Sequence, residues 1–395
     1  MAFALVPRLR RHAELLSVLA VATAFLVWYI KQDPNPSFTL LADAFLHGRL
    51  DITATWPGAS VESVLVDSKR FIVQDPFPAL LFLPFVAILG PGGRSEELGS
   101  LCTGIATVAV YWLLFKRMGL DRRQRLWLIA FVYLGTDLYW CTSAAGVWYA
   151  AVVVSNLLTA CTFYEIATKR RGLLIGLLVG AVMFTRPTMV CVLLLYPYLM
   201  ALGAFGQQPG LKRDLQQYLY AIIGAGCGWV WFNEIRFGTI TNIAYEIYCT
   251  QVDVQVCRAG LFGLKYFVYQ LHAFFLRSPT IQLSGQVSAW PYFGVSVEGI
   301  ALTFTSPALV ASCWAPRSRV VISLWIATIV TAAPSFLYYV DGFAQVGMRH
   351  ALDFEPFLFV LMAYALRDNG RHWFFLLIAF SCVMGAWQSW YWVNF

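Results

Sequence analysis

The sequence predicts an all-α polytopic membrane protein of about 11 transmembrane helices, with residues 1–395 forming a single transmembrane domain. Three observations lead there. Of 395 residues, 59% are hydrophobic and 12% charged, against about 45–50% and about 25% in an ordinary soluble domain; the mean hydropathy is +0.65. The apolar residues fall in runs long enough to cross a hydrocarbon layer of about 30 Å. The 28 basic residues form only short clusters between those runs, so the net charge of +7 reads as topology rather than as a nucleic-acid surface. A water-soluble enzyme is excluded.

The spans fall at 13–30, 97–115, 125–141, 147–166, 172–185, 188–205, 216–235, 299–314, 319–339, 352–366 and 373–391. With a cytoplasmic amino end, the inner segments carry Arg8, Arg10 and Arg11; Lys116, Arg117, Arg122, Arg123 and Arg125; Lys169, Arg170 and Arg171; Lys212 and Arg213; Arg317 and Arg319; and Arg367 and Arg371, which are 17 of the 28 basic residues. That distribution obeys the positive-inside rule. The carboxyl end, with Trp387, Trp390, Tyr391 and Trp392, then lies at the outer interface. The early arginines also suit a secretory signal, but no small-residue cleavage site follows residue 30, so the first helix reads as retained. The stretch 76–90, interrupted by Pro76, Pro78 and Pro84, is too short for a span and reads as a juxtamembrane helix of the outer loop.

Two long outer segments remain, 31–96 and 236–298, and chemistry is expected there because the inner loops are short. Seven of the nine cysteines fall within spans and read as small apolar residues. Cys249 and Cys257 share an outer loop, where a disulfide can close it. No CxxC or His-Cys spacing suggests zinc.

The first outer segment opens KQDPNPSFTLLADAFLHGRLDI. Phe38, Leu41, Ala42, Phe45 and Leu46 recur at helical spacing, with Asp43 and His47 on the opposite face, which predicts an amphipathic helix on the membrane. Asp33 or Asp43, partly desolvated at the interface, has the chemistry to take a proton from an acceptor hydroxyl. Further along stand Asp51, Glu62, Asp67, Lys69, Arg70 and Asp75, a mixture of signs typical of a hydrated loop, in which Asp67 and Lys69 are candidate substrate contacts.

Ionisable residues at membrane depth are functional candidates by default. Arg186-Pro187 divides 172–205 into a hairpin with Arg186 at its outer tip, either snorkelling to headgroups or binding an anion. Arg349, His350, Asp353 and Glu355 crowd the start of the tenth span beside Asp341. Arg349 and Asp353, four apart, have the spacing to pair on a helix face; alternatively Arg349 binds a phosphate bidentately and His350 holds a sugar hydroxyl. Asp137 lies near the outer end of the third span among Tyr139, Trp140, Trp148 and Tyr149, which form an interfacial belt or a stacking surface for a sugar ring. No DxD pair occurs there for a divalent metal.

The order of these features resembles the superfamily C glycosyltransferases, polytopic enzymes that use polyprenyl-phosphate-linked sugars. It is most similar to bacterial relatives of protein O-mannosyltransferases and of the lipid A aminoarabinose transferase. The resemblance rests on LADAFLHGRLDI (41–52), DPFPALLFLPFVAILG (75–90), GLLIGLLVGAVMFTRPT (172–188), NEIRFGT (233–239), TSPAL (305–309) and VGMRHALDFEPFLFVL (346–361). It implies transfer of a mannose-like hexose or a pentose, with inversion, to a hydroxyl on a glycan, lipid or protein acceptor at the outer face of the plasma membrane. An early acid of the first outer loop would be the base, and Arg186 and Arg349 would hold the donor phosphate, with no metal or other cofactor required. Relatives carry an acidic pair before the amphipathic helix where this chain has DPNPS, so Asp33 and Asp43 share the assignment. A transporter or flippase for a lipid-linked substrate is the rival reading, against which stand the odd span count and the acid-bearing outer loop.

Overall fold

The computed structural model describes residues 13–24, 35–55, 62–206, 210–252, 259–284 and 287–394, and the fold is mostly helical. After α1 (Ala13–Ala24), the outer segment forms α2 (Ser37–Leu46), a hairpin of β1 (Ser63–Val66) and β2 (Lys69–Ile72), and α3 (Phe77–Leu89). α2 does not lie free on a surface: every residue from Ser37 to Ala44 is buried. Phe38 meets Phe82 of α3 edge-on, with ring centroids 6.4 Å apart. Its amino end is held by the Glu96 carboxylate, which accepts from the Thr39 backbone N–H at 3.2 Å and so sits where the helix dipole favours negative charge. The amphipathic spacing of this helix therefore serves two packed faces.

α3 begins behind Pro76 with Pro78 in its first turn, and Phe77 donates its backbone N–H to Phe184 O at 3.0 Å, joining the outer segment to the tip that carries Arg186. At 13 residues it is about 20 Å long, short of the hydrocarbon thickness.

The helices that follow are α4 (Gly93–Arg117), α5 (Arg122–Leu134), α6 (Leu138–Ala144), α7 (Val147–Ala167), α8 (Gly172–Met183), α9 (Leu195–Leu202), α10 (Leu211–Phe237) and α11 (Ala244–Gln251). Next come α12 (Phe267–Phe275), a second hairpin of β3 (Thr280–Ser284) and β4 (Val287–Gly294), α13 (Arg319–Leu337), α14 (Glu355–Asn369) and α15 (His372–Asn394). Among the described residues, four of these, α4, α7, α13 and α15, are long and apolar enough to cross a membrane by themselves. Other expected spans are interrupted. The stretch 125–141 breaks between α5 and α6 at Gly135 to Asp137, and 299–314 forms a short turn of helix and a 3-10 helix, Pro307–Trp314.

Two local devices fix the bundle. The first is a row of glycines on α8, Gly172, Gly176 and Gly180, facing α10. A Cβ at Gly172 would stand 1.8 Å from Asp214 O, and one at Gly176 would stand 2.7 Å from Tyr218 O. Small residues four apart let two membrane helices approach to backbone contact, where dispersion replaces the missing hydrophobic drive. The second is a set of ion pairs at the helix ends assigned to the inner face. Arg170 Nε donates to Asp214 at 3.1 Å, Arg171 forks onto Glu165 with both bonds at 2.8 Å, and Arg125 reaches Glu14 at 3.2 Å. Basic residues that signal topology thus also staple neighbouring helices.

Cys249 is disulfide-bonded, whereas Cys257 lies outside the described residues. Replacing Gly172 by Val should separate α8 from α10 and cost about 1–3 kcal/mol of stability, read as a lower Tm in detergent. Gly224→Ala, at a glycine whose added Cβ would meet nothing within 4 Å, should leave the Tm unchanged.

Candidate active site

Arg186 stands where α8 has ended and its backbone has turned extended (φ −142°, ψ 90°) ahead of the 3-10 helix Pro187–Val192. Its guanidinium forks onto Asp353, with Nε to Oδ1 at 3.0 Å and Nη2 to Oδ2 at 2.5 Å, and Nη2 lies 3.4 Å from His350 Nδ1. The expected Arg349–Asp353 pair does not form. Residues Arg349–Asp353 make a 3-10 helix rather than an α-helix, and three residues per turn point positions four apart in different directions.

Arg349 turns instead toward the aromatic belt. Its Nη1 donates to Phe343 O at 2.9 Å, and its guanidinium lies 5.9 Å from the Trp148 ring and 5.5 Å from the Tyr149 ring. Trp148 in turn donates its indole N–H to Glu62 at 2.5 Å. Glu62 also accepts from the Gln74 amide. Burial raises its pKa, while those two hydrogen bonds and the charge of Arg349 pull it back.

Asp75, at the mouth of α3, is buried and accepts from Asn242 Nδ2 at 3.2 Å. Burial pushes its carboxyl up to about 7, against the opposing pull of Arg236, the Asn242 hydrogen bond and Arg186. Arg236 itself is buried, donates to Ile72 O and Asn233 Oδ1, and lies 3.8 Å from the Phe232 ring centroid. Three carboxyls, Glu62, Asp75 and Asp353, and three guanidiniums are thus gathered at one end of the bundle from segments far apart in sequence. An acid titrating near neutrality beside fixed cations is suited to general-base chemistry, and fixed guanidiniums are suited to an anion.

The remaining sequence candidates divide. Asp137 is buried and accepts the Gly347 backbone N–H on Oδ1 at 3.0 Å, which braces the loop that delivers Arg349, while its Oδ2 is buried without a hydrogen-bond partner among the described residues. Asp43 accepts from Thr55 Oγ1 at 2.7 Å and stands 3.5 Å from His47 and 3.7 Å from Arg49. This group is built within residues 43–55, and none of its partners belongs to the Arg186 cluster. Asp67 and Ser68 form the two-residue turn between β1 and β2, with φ of 47° and 63°. Asp is among the few residues that tolerate that region. Asp67 and Lys69, the candidate substrate contacts, are exposed at the hairpin tip. Asp33 lies outside the described residues.

Glu62, Asp75 and Arg236 join the site without having been singled out from the sequence. Their signal is weak, since charges in an outer loop look hydrated. Asp75-Pro76 and the NEIRFGT stretch were the nearest hints. Among the described residues no three His, Cys, Asp or Glu side chains converge as a metal-binding group would require.

No family model and no curated protein matches the sequence. Two solved structures share the fold. One is ArnT from Cupriavidus metallidurans bound to undecaprenyl phosphate, at a TM-score of 0.55 and 12% identity over 90% of this chain and 60% of that one. The other is the oligosaccharyltransferase of Archaeoglobus fulgidus, tethered to an acceptor peptide containing the NVT sequon. Its TM-score is 0.53 and its identity 14%, over 97% of this chain and 56% of that one. Both are superfamily C glycosyltransferases, so the chain has the fold that its motif order resembles. It spans somewhat under two thirds of the length of either neighbour.

The raised Asp75 pKa has a stability consequence of definite sign. Between about pH 4, where the unfolded carboxyl ionises, and about 7, the folded chain retains a proton that the unfolded chain has lost. Stability should therefore fall as pH rises through that window and level off above it. Asp75→Asn should remove this slope, so that Tm against pH for the variant is flatter from 4 to 7 than for the native protein. Parallel curves would contradict the assignment.

Proposed function

We propose that the chain is a membrane glycosyltransferase that moves a sugar from a polyprenyl-phosphate donor to a hydroxyl acceptor at the outer face. The observation that carries the reading is the gathering of Arg236 and Arg186 about the buried acid Asp75, with Arg349 acting on the nearby Glu62, at one end of a superfamily C fold.

The donor's apolar tail has a site in keeping with that reading. A cavity of about 630 Å³ opens between α12, α13, the Pro307–Trp314 helix and the start of α14, lined by Phe267, Phe275, Leu309, Trp325 and Phe336 among others. That size and apolar character suit part of an isoprenoid chain. Leu337 and Phe354 also line it, and they are chain neighbours of Tyr338 and Asp353, so a tail in the cavity would present its phosphate toward the Arg186 cluster.

In the proposed reaction the acceptor hydroxyl attacks the anomeric carbon while an outer-loop carboxylate takes its proton. The bond from that carbon to the phosphate oxygen breaks, the electron pair leaves with the phosphate, and the configuration inverts. Arg186 and Arg349 balance the charge that develops on the leaving group, and the step includes no divalent cation. Of the candidate bases, Asp75 has the most suitable surroundings. Asp43 is committed to Thr55, His47 and Arg49; Asp33 stands as the second choice. His350, whose Nε2 is buried without a hydrogen-bond partner among the described residues, is the group placed to meet a sugar hydroxyl. Asp137 and Asp353 contribute by holding Arg349 and Arg186. The amino end is assigned to the cytoplasm and the carboxyl end to the outer face of the plasma membrane, as the basic clusters require.

The test is sugar transfer from a polyprenyl-phosphate sugar by the purified protein in detergent, where an enzyme turns over and a transporter does not. Turnover should persist in EDTA. Asp75→Asn should lower kcat by roughly 10²–10⁴-fold while donor binding survives. If Asp75→Asn keeps full activity and Asp33→Asn loses it, the base is Asp33. Absence of transfer from every such donor would contradict the proposal.

A further inference from the structure

The segment from residue 259 to 297 contains no Asp or Glu, but holds Lys265, His272 and Arg277 amid a high density of aromatic and aliphatic residues. In a hydrated outer loop such a composition should fold inward. Here it faces outward. Across the 3-10 turn Leu264–Tyr266 and α12, positions 264, 267, 268, 271 and 275 follow one helical stripe. Leu264 is 82% exposed and Val268 76%, with Phe267 and Phe275 also exposed. The opposite face of α12, with Gln270, Ala273 and Phe274, is the buried one. The polarity of an ordinary surface helix is inverted.

The hairpin beyond it repeats the pattern. Ile281 and Phe293, partners across β3 and β4, are both exposed, as are Leu283, Trp290 and, at 71%, Val287. A two-stranded hairpin with apolar residues open on its surface is a liability in water. Its position is fixed by the end of the spanning helix α15. Trp290 packs against Trp390 with ring centroids 5.9 Å apart, and Gln282 Nε2 lies 3.3 Å from Tyr391 Oη. Trp and Tyr at the end of a span mark the level of the headgroups, so the hairpin is held at that depth beside a lipid-facing helix. α12 is fixed as well. Arg277 is paired with Asp341 and donates to Glu298 O at 3.0 Å.

We propose that residues 262–284 and 287–294 form a monotopic membrane surface that dips into the outer leaflet and recognises lipid bearing anionic headgroups. The apolar stripe of α12 and the hairpin enter the acyl boundary, and Lys265 and His272, flanking the stripe, face the headgroups. Because Phe267 and Phe275 also wall the apolar cavity, the same surface would place the mouth of that cavity within the leaflet. The inference uses the membrane-spanning character of α15 but not the transfer reaction, so it stands or falls separately from the glycosyltransferase reading.

The experiment places an environment-sensitive fluorescent amino acid at Val268, at Val287 or, as an aqueous control, at Ser68 in the turn of the first hairpin. Each full-length variant is reconstituted in nanodiscs containing one copy. Spin-labelled phospholipid should quench the probes at 268 and 287 by roughly twofold or more, as expected for a face buried at the acyl boundary, and aqueous iodide should quench only the probe at 68. Replacing neutral phospholipid with phosphatidylglycerol should deepen the lipid quenching. Iodide quenching at 268 and 287 equal to that at 68 would overturn the proposal. So would protection that appears only with two copies per disc, which would mark the face as a contact between copies. A single probe that fails to fold leaves the other to decide.

Discussion

A guanidinium at the tip of one hairpin and a carboxylate 167 positions later share two hydrogen bonds, Arg186 Nε to Asp353 Oδ1 and Nη2 to Oδ2. Asp353 is buried and Arg186 partly so, so each charge depends on the other. An unpaired Arg in the hydrocarbon region costs about 2.5–3.5 kcal/mol on insertion scales, and removing one member of a buried pair costs about 3–5 kcal/mol. The pair therefore fixes where the outer end of α8 sits relative to the start of α14. Around it His350 approaches the guanidinium, and Asp75, just ahead of α3, feels its charge. α3 itself is joined to the same tip through Phe77 N–H and Phe184 O. The pair is the keystone on which the geometry of this end of the bundle rests.

Close backbone approach at the other side of the bundle makes that geometry possible. The glycine row of α8 brings α10 to contact, and α10 carries Arg236 toward Ile72 and Asp75 at its far end. Arg170 and Asp214 lock the near end. A helix pair clamped at one end and packed along its length delivers a cation to the other end with little freedom. That rigidity is what an anion site needs.

Much of the fold was legible from sequence because bilayer thickness and charge placement are strong constraints. α4, α7, α13 and α15 follow directly from apolar runs. The break between α5 and α6 was not legible, since hydropathy stays high through Gly135 and Asp137 while the backbone turns. Neither hairpin was visible either. The first turns on Asp67-Ser68 rather than on an Asn-Gly pair, and in the second β3 alternates but its partner VSAWPYFG does not and contains Pro291. Of the site, Arg186 and Arg349 were legible because their burial is expensive. Their partners were not: Asp353 seemed matched to Arg349 by helical spacing, which a 3-10 helix defeats, and Asp75 and Glu62 resembled ordinary loop charges until long-range packing buried them. The GLLIGLLVG spacing is a signal that hydrophobic periodicity alone does not use.

In the proposed complex the Arg186 cluster receives the phosphate of a lipid whose tail fills the neighbouring apolar cavity. A structure of the protein with bound polyprenyl phosphate tests it most directly. Phosphate density is expected within hydrogen-bond reach of Arg186 and Arg349, with the first isoprene units running past Leu337 and Phe354 between α12 and α13. Phosphate density elsewhere, with the cavity empty and both guanidiniums still facing only their present partners, would contradict it.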